Sequence, residues 1–291
     1  MYLIRIFLLI SFFYNCQSDD SSLFVNNSNK NITIKNITSL SSIVNETSGL
    51  INFDGRIITH NDSGGEPNLY EIDIASGKII RTVNVSNAVN IDMEDIAQDK
   101  NFIYLCDIGN NSNERKDQTI YKISKADYLS KDNVVAEKIA INYKEQVDYN
   151  KTKKSTNFDA EAVVNINNEL FLFTKNWGDF NTSVYKIPKE KGNYTISKIG
   201  SFDINGLITA ATYNDNTKTA ILTGYIDFVP FIVELTNFSQ NNPLDGKVDK
   251  KSIVVNGSVQ IEGITTNPDG SYYMSAEEVS GFSAILYKMS Y

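Results

Sequence analysis

A unit of three short strands, repeated five times, is the feature that most limits what this chain of 291 residues can fold into. The first unit begins at Glu46, and turns at Asp54-Gly55 and Gly64-Gly65 separate its runs of β-branched and aromatic residues. Asp-Gly and Gly-Gly accept positive φ without strain, so they mark strand ends. One such unit leaves two faces uncovered, and only neighbouring copies can bury them.

The later units begin at equivalent acidic or polar anchors: Glu94, Glu161, Thr209 and Glu262. From each of the five starts to the third apolar run of its unit, the separation is 24 to 27 residues. This regularity predicts an all-β fold, a single β-propeller of five four-stranded blades. Six blades are the alternative, if the stretch between Glu94 and Glu161 contains a degenerate blade. The polar segment 144–158 lacks a strand period and favours a long loop there.

Each blade also needs a fourth strand, and segments that follow the third runs supply four candidates: Lys78–Val85, Val134–Tyr143, Tyr194–Phe202 and Ser252–Val255. The last blade reaches the end of the chain at Tyr291 with only three strands. The alternating segment Asn31–Ile37 belongs to no other blade. We therefore expect it to close the ring as the outer strand of the last blade, which leaves no blade free to fray.

Residues 1–16 predict an export signal that is separate from the fold. Arg5 precedes an apolar run, 6–14, which is too short for a membrane span of about 20 residues. Cys16 resembles the lipidated cysteine of a bacterial lipoprotein, and the acidic Ser18-Asp19-Asp20 resembles the surface-export signal of Bacteroidetes lipoproteins. An ordinary cleaved secretory peptide is the alternative. Residues 17–30 are expected to form a flexible tether, and residues 31–291 the propeller domain.

These signals predict an exported protein that is lipid-anchored to the bacterial outer membrane and exposed at the cell surface. The membrane is one expected partner, through the N-terminal lipid, and the other is a small molecule, glycan or protein that the sequence does not identify. We expect a monomer. The net charge of −8 argues against nucleic acid as a partner, because nucleic acid requires a basic face. Cys106 lies in an apolar run and is expected to be buried and unpaired.

Acidic residues recur where the first strand of a unit begins: Glu46, Glu94, Asp95, Asp159, Glu161 and Glu262. The innermost strands of a propeller line its channel, so residues at one end of them should meet at one mouth. Carboxylates that crowd together must share protons or bind a cation. Carboxylate oxygens suit Ca²⁺, and we therefore predict a calcium site at the mouth. The alternative is that these acids are solvated or paired with Lys and Arg. Thr209 makes the ring of acids lopsided.

A second set of polar residues follows the second strands and is expected to contact a ligand: His60, Asp62, Asp107, Lys175, Trp177 and Glu277. His60, Asp62 and Glu161 are also the candidates for catalysis, because an imidazole or carboxylate can act as a general base. Ser63 would complete a Ser-His-Asp set on paper. Adjacent residues rarely place all three groups correctly, so we do not favour that interpretation.

The motifs ETSGL from Glu46, HNDSGG from His60, MEDIA from Met93, DIGN from Asp107 and DAEA from Asp159 together resemble an uncharacterised family of exported bacterial propeller proteins. The resemblance covers roughly residues 44–291. Met93 stands where that family often has Trp, and Asn110 where it has Asp. The family is distantly similar to phytase-like and gluconolactonase-like propellers. That likeness implies calcium in the channel and metal-dependent hydrolysis.

Two functions are consistent with these patterns. The first is a lipid-anchored binding protein with a cation at the channel mouth. The alternative is a calcium-dependent hydrolase of the phosphoesterase or lactonase type. In that case Glu94, Asp159 or Glu161 would hold the ion, and His60 or a carboxylate would act as the base. The sequence leaves open whether the protein is an enzyme.

Overall fold

The computed structural model describes residues 31–239, 242–255, 259–279 and 281–291. The export signal, Cys16 and the tether lie outside these ranges. The described residues form five antiparallel blades whose inner strands contact one another in cyclic order, which confirms the predicted five-bladed propeller. Within the same ranges, no helix is both long and apolar enough to cross a membrane.

In chain order the strands are β1 (Thr33–Ser39), β2 (Thr47–Phe53), β3 (Arg56–Asn61), β4 (Asn68–Ile72), β5 (Ile79–Val85), β6 (Met93–Gln98), β7 (Phe102–Asp107), β8 (Thr119–Ser124), β9 (Asn133–Val134), β10 (Glu137–Tyr143), β11 (Ala160–Ile166), β12 (Glu169–Thr174), β13 (Thr182–Ile187), β14 (Gly192–Ile196), β15 (Lys198–Phe202), β16 (Leu207–Asn214), β17 (Thr219–Ile226), β18 (Val229–Thr236), β19 (Lys247–Ser252), β20 (Ile261–Thr266), β21 (Tyr272–Ala276) and β22 (Ile285–Ser290). The helix α1 (Lys125–Ser130) and two 3₁₀ turns, Ser42–Val44 and Pro243–Asp245, complete the described elements.

From the channel outward, the blades are β2-β3-β4-β5, β6-β7-β8-β10, β11-β12-β13-β15, β16-β17-β18-β19 and β20-β21-β22-β1, here called blades 1 to 5. Two additional strands join neighbouring blades. Strand β9 pairs in parallel with β5, and β14 pairs in parallel with β10. Strand β9 comes from the part of the chain that builds blade 2 and adds to the outer edge of blade 1. Strand β14 comes from the part that builds blade 3 and adds to the outer edge of blade 2.

The N-terminal strand closes the ring as expected. Strand β1 pairs antiparallel with β22, with Thr33 opposite Ser290 and Ser39 opposite Ile285. Blade 5 is thus built from both ends of the chain. The segment between β10 and β11 contains no strand, so the predicted long loop is confirmed and no sixth blade exists there.

Three predicted fourth strands were wrong in their bounds. The segment Val134–Tyr143 is divided, because Val134 belongs to β9 at the edge of blade 1 and only β10 completes blade 2. The segment Tyr194–Phe202 is divided, because β14 joins blade 2 and only β15 completes blade 3. The predicted strand Ser252–Val255 lies after the true one, β19, which pairs with β18. The sequence of β19, KVDKKS, is mostly charged because this outer strand faces solvent, and it therefore lacks the apolar signal that marks inner strands.

The core lies between blades. The largest clusters of buried apolar side chains each combine two adjacent blades, for example Ile51 and Ile58 of blade 1 with Met93 and Ile103 of blade 2. Cys106 is completely buried in the next cluster and carries no disulfide, as predicted. Because each blade covers its neighbours, closure of the ring buries all five contact surfaces.

Candidate functional site

Each inner strand carries a β-bulge near its start. The extra residues at the five bulges are Gly49, Glu94, Glu161, Thr209 and Glu262. A bulge redirects the side chain of its extra residue, and the inner strands all run in the same direction around the channel. The mouth at this end therefore receives carboxylates from blades 2, 3 and 5 and none from the bulges of blades 1 and 4.

A cavity of about 160 Å³ lies at this mouth. Its acidic lining residues are Asp62, Glu94, Asp159, Glu161, Glu262 and Glu277. Of the described residues that line it, only Lys154 and Lys175 are cationic. The predicted convergence of acids from different blades is therefore present, and carboxyl groups outnumber cationic groups in the lining of the cavity.

Two sets of three carboxylates have the spacing of metal ligands. They are Asp62, Asp92 and Glu94, and Glu94, Asp159 and Glu161, and within each set the oxygen atoms lie within 4.8 Å of one another. Two oxygens that bind one Ca²⁺ at about 2.3–2.6 Å can be at most about 5 Å apart. Each set is thus compact enough to surround one ion, and Glu94 belongs to both.

Glu94 is a buried carboxylate that belongs to both sets. It is only 5% exposed, and no described residue donates a hydrogen bond to its side chain. Burial raises the pKa of Glu94 well above its usual range, and Glu161 and Asp62 raise it further. Opposite this group, a Cβ atom on Gly109 would overlap the carboxylates of Glu94 and Asp92. The glycine leaves the space that these two side chains occupy.

Lys175 acts as an internal counter-ion. Its Nζ atom lies 3.1 Å from Oε2 of Glu161 and 5.3 Å from the ring centres of both Trp177 and Tyr225. Burial alone would lower the pKa of Lys175, but Glu161 and Glu262 outweigh that effect and raise it, so the side chain is charged. Its backbone N–H donates to the carbonyl of Asp159, which fixes it beside the bulge of blade 3. Lys175 neutralises one carboxylate and leaves the others uncompensated.

Asp159 is held by its neighbours. Its carboxylate accepts hydrogen bonds from the backbone N–H of Asn110 at 2.6 Å and from Nε1 of Trp177 at 2.7 Å. Burial raises the pKa of Asp159 in spite of these bonds. Trp177, predicted to contact a ligand, thus positions a carboxylate, and Nζ of Lys154 lies 4.7 Å from the centre of its ring.

The remaining acids at the mouth are also shifted toward the protonated form. Burial raises the pKa of Asp62 to about 6, and Glu277 adds to the shift. Burial also raises the pKa of Asp92 to about 7 and that of Glu262 to about 8. Carboxyl groups whose pKa values lie near neutral pH exchange their proton for a bound cation with little expenditure of free energy.

Two of the predicted metal ligands lie elsewhere. Glu46 is exposed at the rim, three positions before Gly49, which is the true structural equivalent of Glu94 in blade 1. Asp95 is buried below the mouth, where it accepts the backbone N–H groups of Ile96 at 2.7 Å and Val163 at 2.8 Å. It ties blade 2 to blade 3.

Asp107 and His60 interact with other groups of the protein and do not line the cavity. Asp107 forms an ion pair with Arg115 at 2.8 Å. His60 is 1% exposed, and its Nδ1 lies 3.0 Å from the carbonyl oxygen of Asn61. Burial lowers the pKa of His60 to about 4, so the ring is neutral near pH 7.

Gly109 and Tyr225 line or shape the site and were not identified from the sequence. Both lie at the end of a second strand or directly after it, where Asp107 and Lys175 had been selected. Tyr225 occupies in blade 4 the position that Lys175 occupies in blade 3, opposite the residue two before the bulge, so the repeat indicates it. The role of Gly109 depends on the direction of two other side chains and leaves no signal in the sequence.

No protein-family model matches the chain, and no curated protein matches it in sequence. Among solved structures, the apo form of the soluble aldose sugar dehydrogenase from Escherichia coli aligns with a TM-score of 0.50 at 10% identity, over 89% of this chain and 99% of that one. Hydrazine synthase from Kuenenia stuttgartiensis aligns at 0.46 and 13% identity, over 81% and 75%. Pseudomonas fluorescens PhoX, in complex with vanadate, aligns at 0.44 and 9% identity, over 77% and 57%. Likeness at these identities shows the propeller fold alone.

Proposed function

We propose that the protein is a surface-exposed, lipid-anchored binding propeller whose channel mouth holds a divalent cation, with Ca²⁺ as the ion that suits its donors best. The observation that carries this proposal is the buried carboxylate of Glu94, which no described residue neutralises and which belongs to both acidic sets. The proposed localisation rests on the N-terminal segment, which resembles a signal peptide and contains Cys16.

Asp62, Asp92 and Glu94 are the residues that would hold the ion. In the other set Glu161 is already paired with Lys175, and Asp159 accepts two strong hydrogen bonds. The first set therefore has more free oxygen atoms. Ca²⁺ takes 6–8 oxygen ligands, so three carboxylates leave positions for water or for oxygen atoms of a bound molecule. The ion would supply an electrophilic anchor for such an oxygen atom.

Thermal unfolding of the full-length chain in EDTA and then in excess calcium tests this site. A hundredfold excess over the dissociation constant should stabilise the fold by about 2.7 kcal/mol, which raises the midpoint by roughly 5–10 °C. Glu94→Gln should remove the shift. Glu66→Gln, at an exposed carboxylate on the same face, is the matched control and should keep it. An unchanged midpoint with calcium, magnesium and manganese would refute the cation site.

A metal-dependent hydrolase is the second candidate, and one observation favours it. Asp62 lines the cavity, and carboxylate oxygens of Asp62 and Asp92 lie within 4.8 Å of each other. Burial raises the pKa of Asp62 to about 6 and that of Asp92 to about 7, which suits proton transfer near neutral pH. The neutral, enclosed His60 is not available for that role. A panel of phosphoesters and lactones should then be turned over by the calcium-loaded protein, with a loss of at least about 100-fold in Asp62→Asn. If no substrate in the panel reacts, the binding function alone remains.

A further inference from the structure

The loops that surround the acidic mouth expose large apolar side chains. More than half of the exposed large hydrophobic residues in the described ranges lie on these loops or at their ends, including Val89, Phe180, Phe228, Val254 and Phe282. The connections and chain end at the opposite end of the ring expose fewer of the described ones, namely Leu129, Val135 and Tyr291. Apolar surface concentrated on one face, around a cavity, is typical of an interaction site.

Part of this apolar surface continues into the cavity. The exposed ring of Phe228 stacks on Tyr225, with ring centres 6.1 Å apart and planes inclined by 7°. Tyr225 itself lines the acidic cavity. Phe282, which is 57% exposed, lies on the corresponding loop of blade 5. A partner that covers these rings would reach the carboxylates at the same time.

The cavity beside these rings selects for positive charge. Glu262 is 7% exposed, and no described residue donates a hydrogen bond to its carboxylate. The ammonium of Lys175 lies 5.3 Å from the ring centre of Tyr225, so this wall already accommodates a cation against an aromatic face. The acidic residues that line the cavity stay in excess even after one divalent ion, Lys154 and Lys175 are counted.

We propose that the mouth face is a docking surface for a polypeptide partner that inserts a lysine or arginine side chain beside Glu262 and the Tyr225–Phe228 pair. Apolar residues that flank the inserted cation cover the rim. The surface uses blades 4 and 5, whereas the candidate metal ligands Asp62, Asp92 and Glu94 belong to blades 1 and 2. The docking therefore does not require the metal ion.

Selection from a display library of random peptides on the full-length chain tests this proposal. Recovered sequences should share one lysine or arginine with apolar residues on both sides. The best peptide is then synthesised with lysine, glutamine or glutamate at that position, and binding is measured by fluorescence anisotropy. The glutamine and glutamate forms should bind at least about tenfold more weakly, because a pair in a partly buried site is lost.

Variants locate the contact. Glu262→Gln should weaken the lysine peptide by about tenfold, and the double change Phe228→Ser with Phe282→Ser should weaken it similarly, since aromatic anchors contribute most to such interfaces. Ile80→Ser is the control, because Ile80 is 64% exposed on the outer strand β5, away from the mouth. It should leave affinity unchanged. Far-ultraviolet circular dichroism confirms that each variant is folded.

Four results would overturn the proposal, and three of them do not involve the metal ion. These three are recovered peptides without an excess of basic residues, a stronger complex with the glutamate form, and full affinity in the phenylalanine double variant. Each selection is repeated in EDTA. Loss of all peptide binding there would make the metal the recognising group and would also refute the pairing proposed here. Binding that persists in EDTA supports it, even if calcium proves not to stabilise the protein.

Discussion

At Gly109 the backbone passes so close to the mouth that the carboxylates of Glu94 and Asp92 fill the space of a missing side chain. Gly109→Ala should force both carboxylates apart and lower calcium affinity by at least about tenfold. The overlap should also reduce stability by about 1–3 kcal/mol. Isothermal titration with calcium and thermal unfolding in EDTA measure the two effects.

Gly65→Ala is the control for that change. A Cβ atom at Gly65 would meet only Nδ2 of Asn90 at 3.9 Å, an ordinary contact. The control should bind calcium like the unaltered protein. Equal affinities in both variants would show that the two carboxylates do not act together on an ion.

Individual site residues could be predicted only in part. The acids at Glu94, Glu161 and Glu262 were found because they recur at equal positions in the repeats, and the bulges direct all three into one cavity. Glu46 was aligned by its acidic character, although Gly49 occupies the equivalent position. The burial of Lys175 among the acids depends on side-chain direction, which a strand pattern does not specify.

The closing strand β1 offers a test at the level of one element. Ile34 packs against the core between blades 4 and 5, whereas Ile37 at the bulge of the same strand is 36% exposed and lies outside that cluster. Ile34→Ala should lower stability by about 1–2 kcal/mol and the midpoint by roughly 2–6 °C. Ile37→Ala, the matched control, should change the midpoint much less. Equal effects would mean that β1 contributes little to closure.

The number of blades and the closing strand could be predicted because inner strands carry strong, regularly spaced apolar signals. Outer strands were less predictable. Strand β19 is too charged to be distinguished from a loop, and β14 has a strand pattern that gives no indication of which blade it joins. The partner of an edge strand is decided by the path of the chain in three dimensions, not by local composition.

At the scale of the whole molecule, the mouth should make stability depend on pH. The pKa of Glu262 is raised to about 8 and that of Asp92 to about 7. An acid with a higher pKa in the folded state favours folding when protonated, and this contribution is lost as the pH rises through the folded value. In EDTA the unfolding midpoint should therefore rise by about 2–5 °C from pH 9 to pH 7.

Two comparisons check the origin of this effect. Glu262→Gln should make the dependence of the midpoint on pH in EDTA less steep, with the contribution of Asp92 remaining. The additional stabilisation by calcium should grow with pH, because the ion binds the deprotonated carboxylates. The comparison ends at pH 7 because His60 has the opposite effect at lower pH. Burial lowers the pKa of His60 to about 4 in the folded protein, so below pH 7 the imidazole is protonated first in the unfolded chain, which lowers the stability of the fold. A midpoint in EDTA that falls from pH 9 to pH 7 would contradict the assignment.

Strand β1 enters the ring with Thr33 beside Ser290, at the pole opposite the bulges. A chain anchored through its N-terminus, as proposed, would hold the acidic mouth away from the membrane. A pulling force on a bound partner would then act along the axis of β1, which pairs with β22 through six pairs of residues. In that geometry the force shears all the hydrogen bonds between the two strands at once, and they do not break one after another. The strand that closes the ring is thus also the strand that would carry the mechanical tension between the membrane anchor and the bound partner.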